Sequence, residues 1–181
     1  MLLSYNELME LREQGVISCP EKHVNGASID ITLNSLILIE KAPPTVWDKI
    51  VYPSESINLE EYHITPKGFA LKPRQFILAA SNEVFNLPPD IACMYKQKSS
   101  LARIGLEHLE AGWCDPGWED SVLTLELFNC TQYHHIMLTP NMKIGQMVFF
   151  KTSSKVPGHA DYAARGQYNN QTKVTKSKGA K

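Results

Sequence analysis

The run KQKSSLARIGLEHLEAGWCDPGW, residues 96–118, sets two adjacent serines between cations and follows them closely with a loop carboxylate. Ser99 or Ser100 can cap a short helix through Leu101, Ala102 and Arg103, since a serine hydroxyl accepts from the N–H groups that open a helix. The remaining free N–H donors, the two hydroxyls and the cations Lys98 and Arg103 suit phosphate oxygens. An ordinary capped turn has the same pattern and needs no ligand. Asp115 stands in CDPGW, where Pro116 and Gly117 set a tight turn. Its carboxylate either bonds its own turn backbone or faces a ligand. Glu126 is less usual. In VLTLELFN, residues 122–129, strand alternation puts Leu123, Leu125 and Leu127 on one face and Val122, Thr124, Glu126 and Phe128 on the other. A glutamate in that company either meets solvent or lines a pocket, the setting in which general-base carboxylates are tuned. The histidines carry less. His134 and His135 read as an exposed strand end, and His108 as a surface residue that can touch a ligand.

The elements that must position these groups are mostly short strands. One helix is signalled at the start: Ser4 caps it, Glu7 completes a capping box, Leu3 and Leu8 form a staple, and Gly15 stops it. ASIDITL and parts of GFALKPRQFILAA alternate apolar and polar residues. Turns are signalled at Pro43-Pro44, Pro66-Lys67-Gly68, Pro88-Pro89-Asp90 and Pro140-Asn141. IMLTPNMKIGQMVFF reads as a hairpin about Thr139-Pro140-Asn141-Met142. Strands at this spacing predict a compact sandwich or barrel-like β domain. No internal repeat is visible.

The chain of 181 residues fits one domain, and 18 Lys plus Arg against 19 Asp plus Glu leave no basic field for a nucleic-acid polymer. No apolar run approaches a membrane span, and no export signal opens the chain. Cys19, Cys93, Cys114 and Cys130 contain no CxxC pair and no zinc-ligand spacing. Reduced thiols and a cytoplasmic location are the expectation.

Taken in order, NGASIDITL, KSSLARIGL, AGWCDPGW, LTLELFN and KIGQMVFF resemble the dCTP deaminase branch of the dUTPase-like superfamily, from about Val24 to Gln171. The resemblance implies a mainly β, dUTPase-like (β-clip) distorted barrel or sandwich with an N-terminal helix and one short central helix. It implies a homotrimer with active sites shared between subunits. One domain would span residues 1–172, with a C-terminal flap at about 158–172 and a disordered lysine-rich tail at 173–181. Lys98 and Ser100 would hold the triphosphate, with Ser99 and Arg103 near the reacting base. Asp115 would meet the deoxyribose 3′-OH, and the backbone of Thr124, Leu125 and Glu126 would read the cytosine edge. Tyr162, Gln167 and Gln171 would close the flap over the nucleotide. Glu126 would be the catalytic carboxylate, with the Ser99 hydroxyl and Ala111 carbonyl orienting the water. Magnesium would bind through the triphosphate, with no metal held by protein side chains and no zinc.

The implied reaction is hydrolytic deamination of dCTP to dUTP and ammonia. Zinc deaminases supply the water with an H-x-E…P-C-x-x-C ligand set; this sequence has none, which leaves a carboxylate to move the protons. The alternatives are a bifunctional enzyme that carries dCTP on to dUMP, a dUTP or dCTP diphosphatase alone, and a nucleotide-responsive binding protein without turnover. RGQYNNQT stands where the sister dUTPases carry a glycine-rich phosphate motif. The space around cytosine C5 is not legible, so modified cytosines remain open as substrates.

Three departures from the family pattern stand out. The stretch between the serine pair and AGW is one residue short, and that from Asp115 to Glu126 is one residue long, with Asp120 at a usual glycine. A one-residue slip would turn Glu126 to the opposite face. The surplus must therefore be absorbed before Val122, as an irregularity at Glu119-Asp120-Ser121. Gln167 occupies a position where lysine is usual, with Arg165 or Lys173 available as replacement charge.

Overall fold

Ser4 and Glu7 start the molecule as their spacing predicts. In the computed structural model, which describes residues 1–42 and 50–180, helix α1 (Tyr5–Glu13) opens on the expected capping box. Glu7 Oε2 accepts the Ser4 N–H at 2.8 Å and the Ser4 hydroxyl at 2.7 Å. Leu3 and Leu8 are buried, and Gly15 ends the turn at φ +76°, a conformation that costs glycine little. The predicted Pro43-Pro44 turn lies outside the described residues.

Short strands follow, in antiparallel pairs. One sheet has the order β1 (Ile29–Thr32), β11 (Lys143–Lys151), β6 (Ile91–Gln97), β8 (Trp113–Cys114). A second runs β3 (Leu59–His63), β2 (Leu36–Glu40), β5 (Phe76–Phe85), β9 (Ser121–Asn129), β7 (Leu106–His108). A small third sheet pairs β10 (Ile136–Leu138) with β4 (Phe69–Leu71). Two four-residue helices, α2 (Ser99–Ala102) and α3 (Tyr162–Arg165), sit in the connections. The sheets are open, so the mainly β expectation is met as a sandwich, not a closed barrel. No described helix is long and apolar enough to cross a membrane.

One apolar core draws on all three sheets, with Ile31, Leu71, Ile77, Leu125 and Phe149 fully enclosed. A smaller cluster of Leu38, Leu59, Leu78, Ala80, Val122 and Val174 lies apart from it. The five-stranded sheet is thus apolar on both faces, and its outer face needs a cover. The C-terminal segment provides it. Residues 173–180, expected to be disordered, form no helix or strand but have specific partners: Lys173 Nζ meets Glu61 at 2.6 Å, Lys176 Nζ donates to the Leu59 carbonyl at 2.8 Å, and Val174 is buried.

Two expectations about strands meet different outcomes. The hairpin does not form. The Thr139–Met142 turn closes, with Asn141 at φ 64°, but β10 joins β4. The reason is that β11 already has β1 on one edge and β6 on the other. The irregularity before Val122 does form. Asp120 takes φ 46°, the Ser121 hydroxyl donates to the Glu119 carbonyl at 2.7 Å, and β9 begins only at Ser121. Opposite, β5 bulges between Ala80 and Val84, where the Ser81 hydroxyl accepts the Leu123 N–H at 2.9 Å.

Two polar positions of ASIDITL, Asp30 and Thr32, are buried too. Asp30 receives Lys98 Nζ and Lys143 Nζ at 2.6 Å each and Asn25 Nδ2 at 3.2 Å. Burial alone would raise its carboxyl; the bonds from Lys143, Lys98 and Asn25 outweigh that and hold it below the ordinary value.

Candidate active site

A cavity of about 490 Å³ opens on the outer face of the five-stranded sheet. Phe76 and Leu78 of β5 and Thr124 and Glu126 of β9 form part of its lining. Glu126 is there because alternation commits Leu123, Leu125 and Leu127 to the core. Ala111, Trp113 and Cys114 form one wall, and Tyr162, Tyr168 and Gln171 come from the C-terminal flap. The remaining lining divides between apolar residues such as Val51, Ile57 and Leu59 and polar ones such as Glu55, Thr175 and Lys176.

The flap is pinned to the loop after Asp115. Tyr162 N–H donates to the Pro116 carbonyl at 2.9 Å, and Trp118 Nε1 donates to the Tyr168 carbonyl at 2.9 Å. Asp161 caps α3 by accepting the Ala164 N–H at 3.0 Å. Gly117 permits this close approach: it sits at φ +84°, and a Cβ there would stand 3.0 Å from Asp161. Burial raises the Tyr162 hydroxyl above its ordinary pKa.

The free edge of β9 is the second feature. Alternate residues of an antiparallel strand direct both backbone groups to one edge. At one end of this edge the Glu126 carbonyl accepts the Leu109 N–H at 3.2 Å. At the other, Val122 exchanges two bonds with Gln171: its N–H donates to the Gln171 carbonyl at 2.8 Å, and its carbonyl accepts Gln171 Nε2 at 3.0 Å. The N–H and C=O of Thr124 fall in the gap between them. Among the described residues the buried Gln171 Oε1 has no hydrogen-bond partner, so an acceptor stands beside a strand-edge donor and acceptor.

Glu126 is partly screened, with its side chain 26% exposed. Its Oε2 lies 3.2 Å from Nε2 of His108, which is 3% exposed and packed against the Tyr95 ring, with centroids 4.5 Å apart and the planes tilted by 44°. Reading His108 as a surface residue is therefore corrected. The available signal was the alternation Leu106-Glu107-His108, which places His108 with the buried Leu106. Trp113, which lines the cavity while 53% exposed, was also missed.

Of the other candidates, Ala111, Thr124, Tyr162 and Gln171 line the cavity with Glu126. Lys98, Ser99, Ser100, Arg103, Asp115 and Gln167 do not. Neither serine caps α2: Lys98 holds the capping position, with no side-chain bond, and its Nζ is engaged by Asp30. Leu125 is fully buried in the core, so only its backbone could meet a ligand. Asp115 is exposed, and its Oδ1 accepts Trp113 Nε1 at 2.8 Å; its turn closes through its own carbonyl, which accepts the Trp118 N–H at 3.3 Å. Lys173, a candidate replacement charge for Gln167, is paired with Glu61. All four cysteines are free.

The site thus defines a class: a carboxylate in a largely apolar cavity, flanked by a strand edge able to pair with a planar polar group. A family model described as dCTP deaminase-like matches residues 2–152, and the chain belongs to that family. It is 35% identical to the "dCTP deaminase, dUMP-forming" of Nanoarchaeum equitans, over 99% of this chain and 95% of that one. It is 31% identical to the protein of the same name from Persephonella marina, over 95% and 92%. The solved 2′-deoxycytidine 5′-triphosphate deaminase from Agrobacterium tumefaciens shares the fold, with a TM-score of 0.65 at 19% identity. That match covers 81% of this chain and 46% of that one.

Proposed function

We propose that this chain deaminates dCTP hydrolytically, with Glu126 handling the protons, and that it carries the nucleotide on to dUMP. The observation that carries the first part is the Glu126 carboxylate in the cavity beside the Thr124 strand edge. The cytosine edge offers an amino donor at C4 and acceptors at N3 and O2. Thr124 N–H and C=O and the orphaned Gln171 Oε1 are complementary to such a group. Glu126 takes a proton from water as the oxygen adds to C4, and passes it to ring N3. A second proton goes from the added hydroxyl to the amino nitrogen as the C4–N bond breaks. Ammonia leaves, uracil remains, and Glu126 is ionised again.

The dUMP product is supported by the names of the similar proteins from N. equitans and P. marina. It requires water to attack the α-phosphate and release pyrophosphate, for which Asp115 is the candidate activator. The bond from Trp113 to Asp115 favours the second reading, in which dUTP is released, because it occupies one carboxylate oxygen.

Lys98, Ser99, Ser100 and Arg103 reach the nucleotide from a neighbouring copy in a homotrimer. Support comes from their absence from this chain's own cavity and from the exposure of Ile104, Leu109 and Trp113 close by. Their cations and hydroxyls fit phosphate oxygens, and magnesium enters on the triphosphate.

Incubation with dCTP and magnesium, following ammonia, dUTP, dUMP and pyrophosphate together, tests the reading. Ammonia with dUMP and pyrophosphate is expected. Ammonia with dUTP alone selects the second reading, and nucleotide binding without ammonia overturns deamination. Mixing Ser99→Ala with Glu126→Gln protein should restore part of the activity if sites are shared.

A further inference from the structure

We infer that His108 is the positioning residue of Glu126, its Nε2–H holding carboxylate Oε2 so that Oε1 alone meets the reacting base. This rests on the deaminase reading above. His108 Nε2 and Glu126 Oε2 are 3.2 Å apart, both are buried, and neither has a hydrogen-bond partner among the described residues. A buried imidazole N–H with no other acceptor, facing a buried carboxylate oxygen with no other donor, is a pair that a small tilt of either group completes.

The frame around the pair is rigid. His108 is held opposite Leu127 in the β7–β9 register, and the next residue, Leu109, donates its N–H to the Glu126 carbonyl. The Tyr95 ring lies against the imidazole, and Tyr95 is itself fixed by its hydroxyl, which donates to Gln97 Oε1 at 2.8 Å. On another side, His108 borders a separate cavity of about 200 Å³, lined also by Tyr95, Gln97, Glu107 and Trp113. The imidazole therefore stands between the two cavities.

The chemistry needs such a constraint. A glutamate has three side-chain torsions, and proton shuttling between water, N3 and the leaving amine requires one oxygen to keep one place. Holding Oε2 leaves Oε1 to do the shuttling. The neutral ring must carry its proton on Nε2; the other tautomer would set two lone pairs against each other.

His108→Phe removes the donor and keeps a ring against Tyr95, and His108→Gln returns an N–H near the place of Nε2. Ammonia release by His108→Phe should fall about 100-fold in kcat, the scale of a small misplacement, with KM for dCTP within about threefold of wild type. His108→Gln should regain about tenfold of that loss. Undiminished kcat in His108→Phe, or no rescue by His108→Gln, overturns the positioning role. Wild-type protein that releases no ammonia instead overturns the deaminase reading. In that event, or if a variant fails to fold, ¹⁵N-histidine spectra of the wild type decide: a protonated Nε2 on His108 supports the pair, and a bare Nε2 overturns it.

Discussion

Asp30 and Glu126 are both strand carboxylates among apolar neighbours, and the fold treats them in opposite ways. Asp30, 2% exposed, receives two ammonium groups and an amide. Glu126 faces one imidazole and an open cavity. A carboxylate whose oxygens are all engaged has nothing left for a ligand, so its effect is on folding. One left with free lone pairs in a sheltered place is available for chemistry, and the fold gains little from it. The pair separates stability from function by counting partners.

The largest expected effect is on the open side of that contrast. Glu126→Gln keeps shape and loses the proton-handling group, so ammonia release should fall about 10⁴-fold. Nucleotide affinity should stay within about tenfold and the melting temperature nearly unchanged. A large loss of stability would show that Glu126 is structural after all.

Asp30→Asn should do the reverse, costing about 3 kcal/mol of folding stability by removing the anion from two lysines. Because the folded Asp30 carboxyl lies below its ordinary value of 3.8, its contribution is complete above that value and is lost as pH falls through the lower folded one. Urea unfolding at neutral pH and again below the ordinary carboxylate range should therefore show the gap between wild type and Asp30→Asn closing in acid. Lys98 also stands among the candidate phosphate contacts, so this variant should raise KM for dCTP as well. An unchanged KM would confine Lys98 to a structural part.

Gln171 sharpens the comparison at smaller scale, since one end of its amide is satisfied by Val122 and the other is not. Gln171→Leu should cost about 1.5 kcal/mol in kcat/KM, the worth of a buried hydrogen bond. Equal kcat/KM would mean the orphaned oxygen never meets substrate.

The open carboxylate was legible in the sequence and the closed one was not. Strict alternation over VLTLELFN fixes which residues of β9 face outward, and the surplus residue near Asp120 had to be absorbed for that to hold; both are local facts. Asp30 meets Lys98 across 68 residues of sequence, and nothing near either one announces the other. The same holds for His108. Alternation with Leu106 over the three residues of β7 hinted at burial, but nothing local named Tyr95 and Glu126, which meet the ring from other strands. The tail's lysines hide the one buried valine that docks it, and the need for a cover arises from an apolar cluster that only assembled strands create. The serine, lysine and arginine motif was legible as chemistry. Its separation from this chain's own cavity was not, because that is set by how strands distant in sequence assemble.

Glu83 offers the smallest and most discriminating check on counting partners. It is 2% exposed, with Oε2 accepting the Thr32 N–H at 2.9 Å and Oε1 the Thr32 hydroxyl at 2.7 Å. Those bonds resemble the ones that hold Asp30 low, but among the described residues no ammonium accompanies them; the nearest basic group is the His23 imidazole at 4.0 Å, whose charged form burial disfavours. Burial prevails, and the Glu83 carboxyl is raised above its ordinary value of 4.5. The sign of its pH dependence is thus opposite to that of Asp30: its contribution is complete below the ordinary value and is lost as pH rises through the folded one. Glu83→Gln removes an ionisation that the fold resists, at the cost of one accepting oxygen. At neutral pH the two changes should nearly cancel, leaving stability within about 1 kcal/mol of wild type. Below the ordinary value of 4.5, where the native carboxyl is protonated, the variant should be the less stable of the two. Denaturant unfolding across that range reads the crossover. A uniform loss at every pH would mean that hydrogen bonding alone, and not the absence of a cation, distinguishes Glu83 from Asp30.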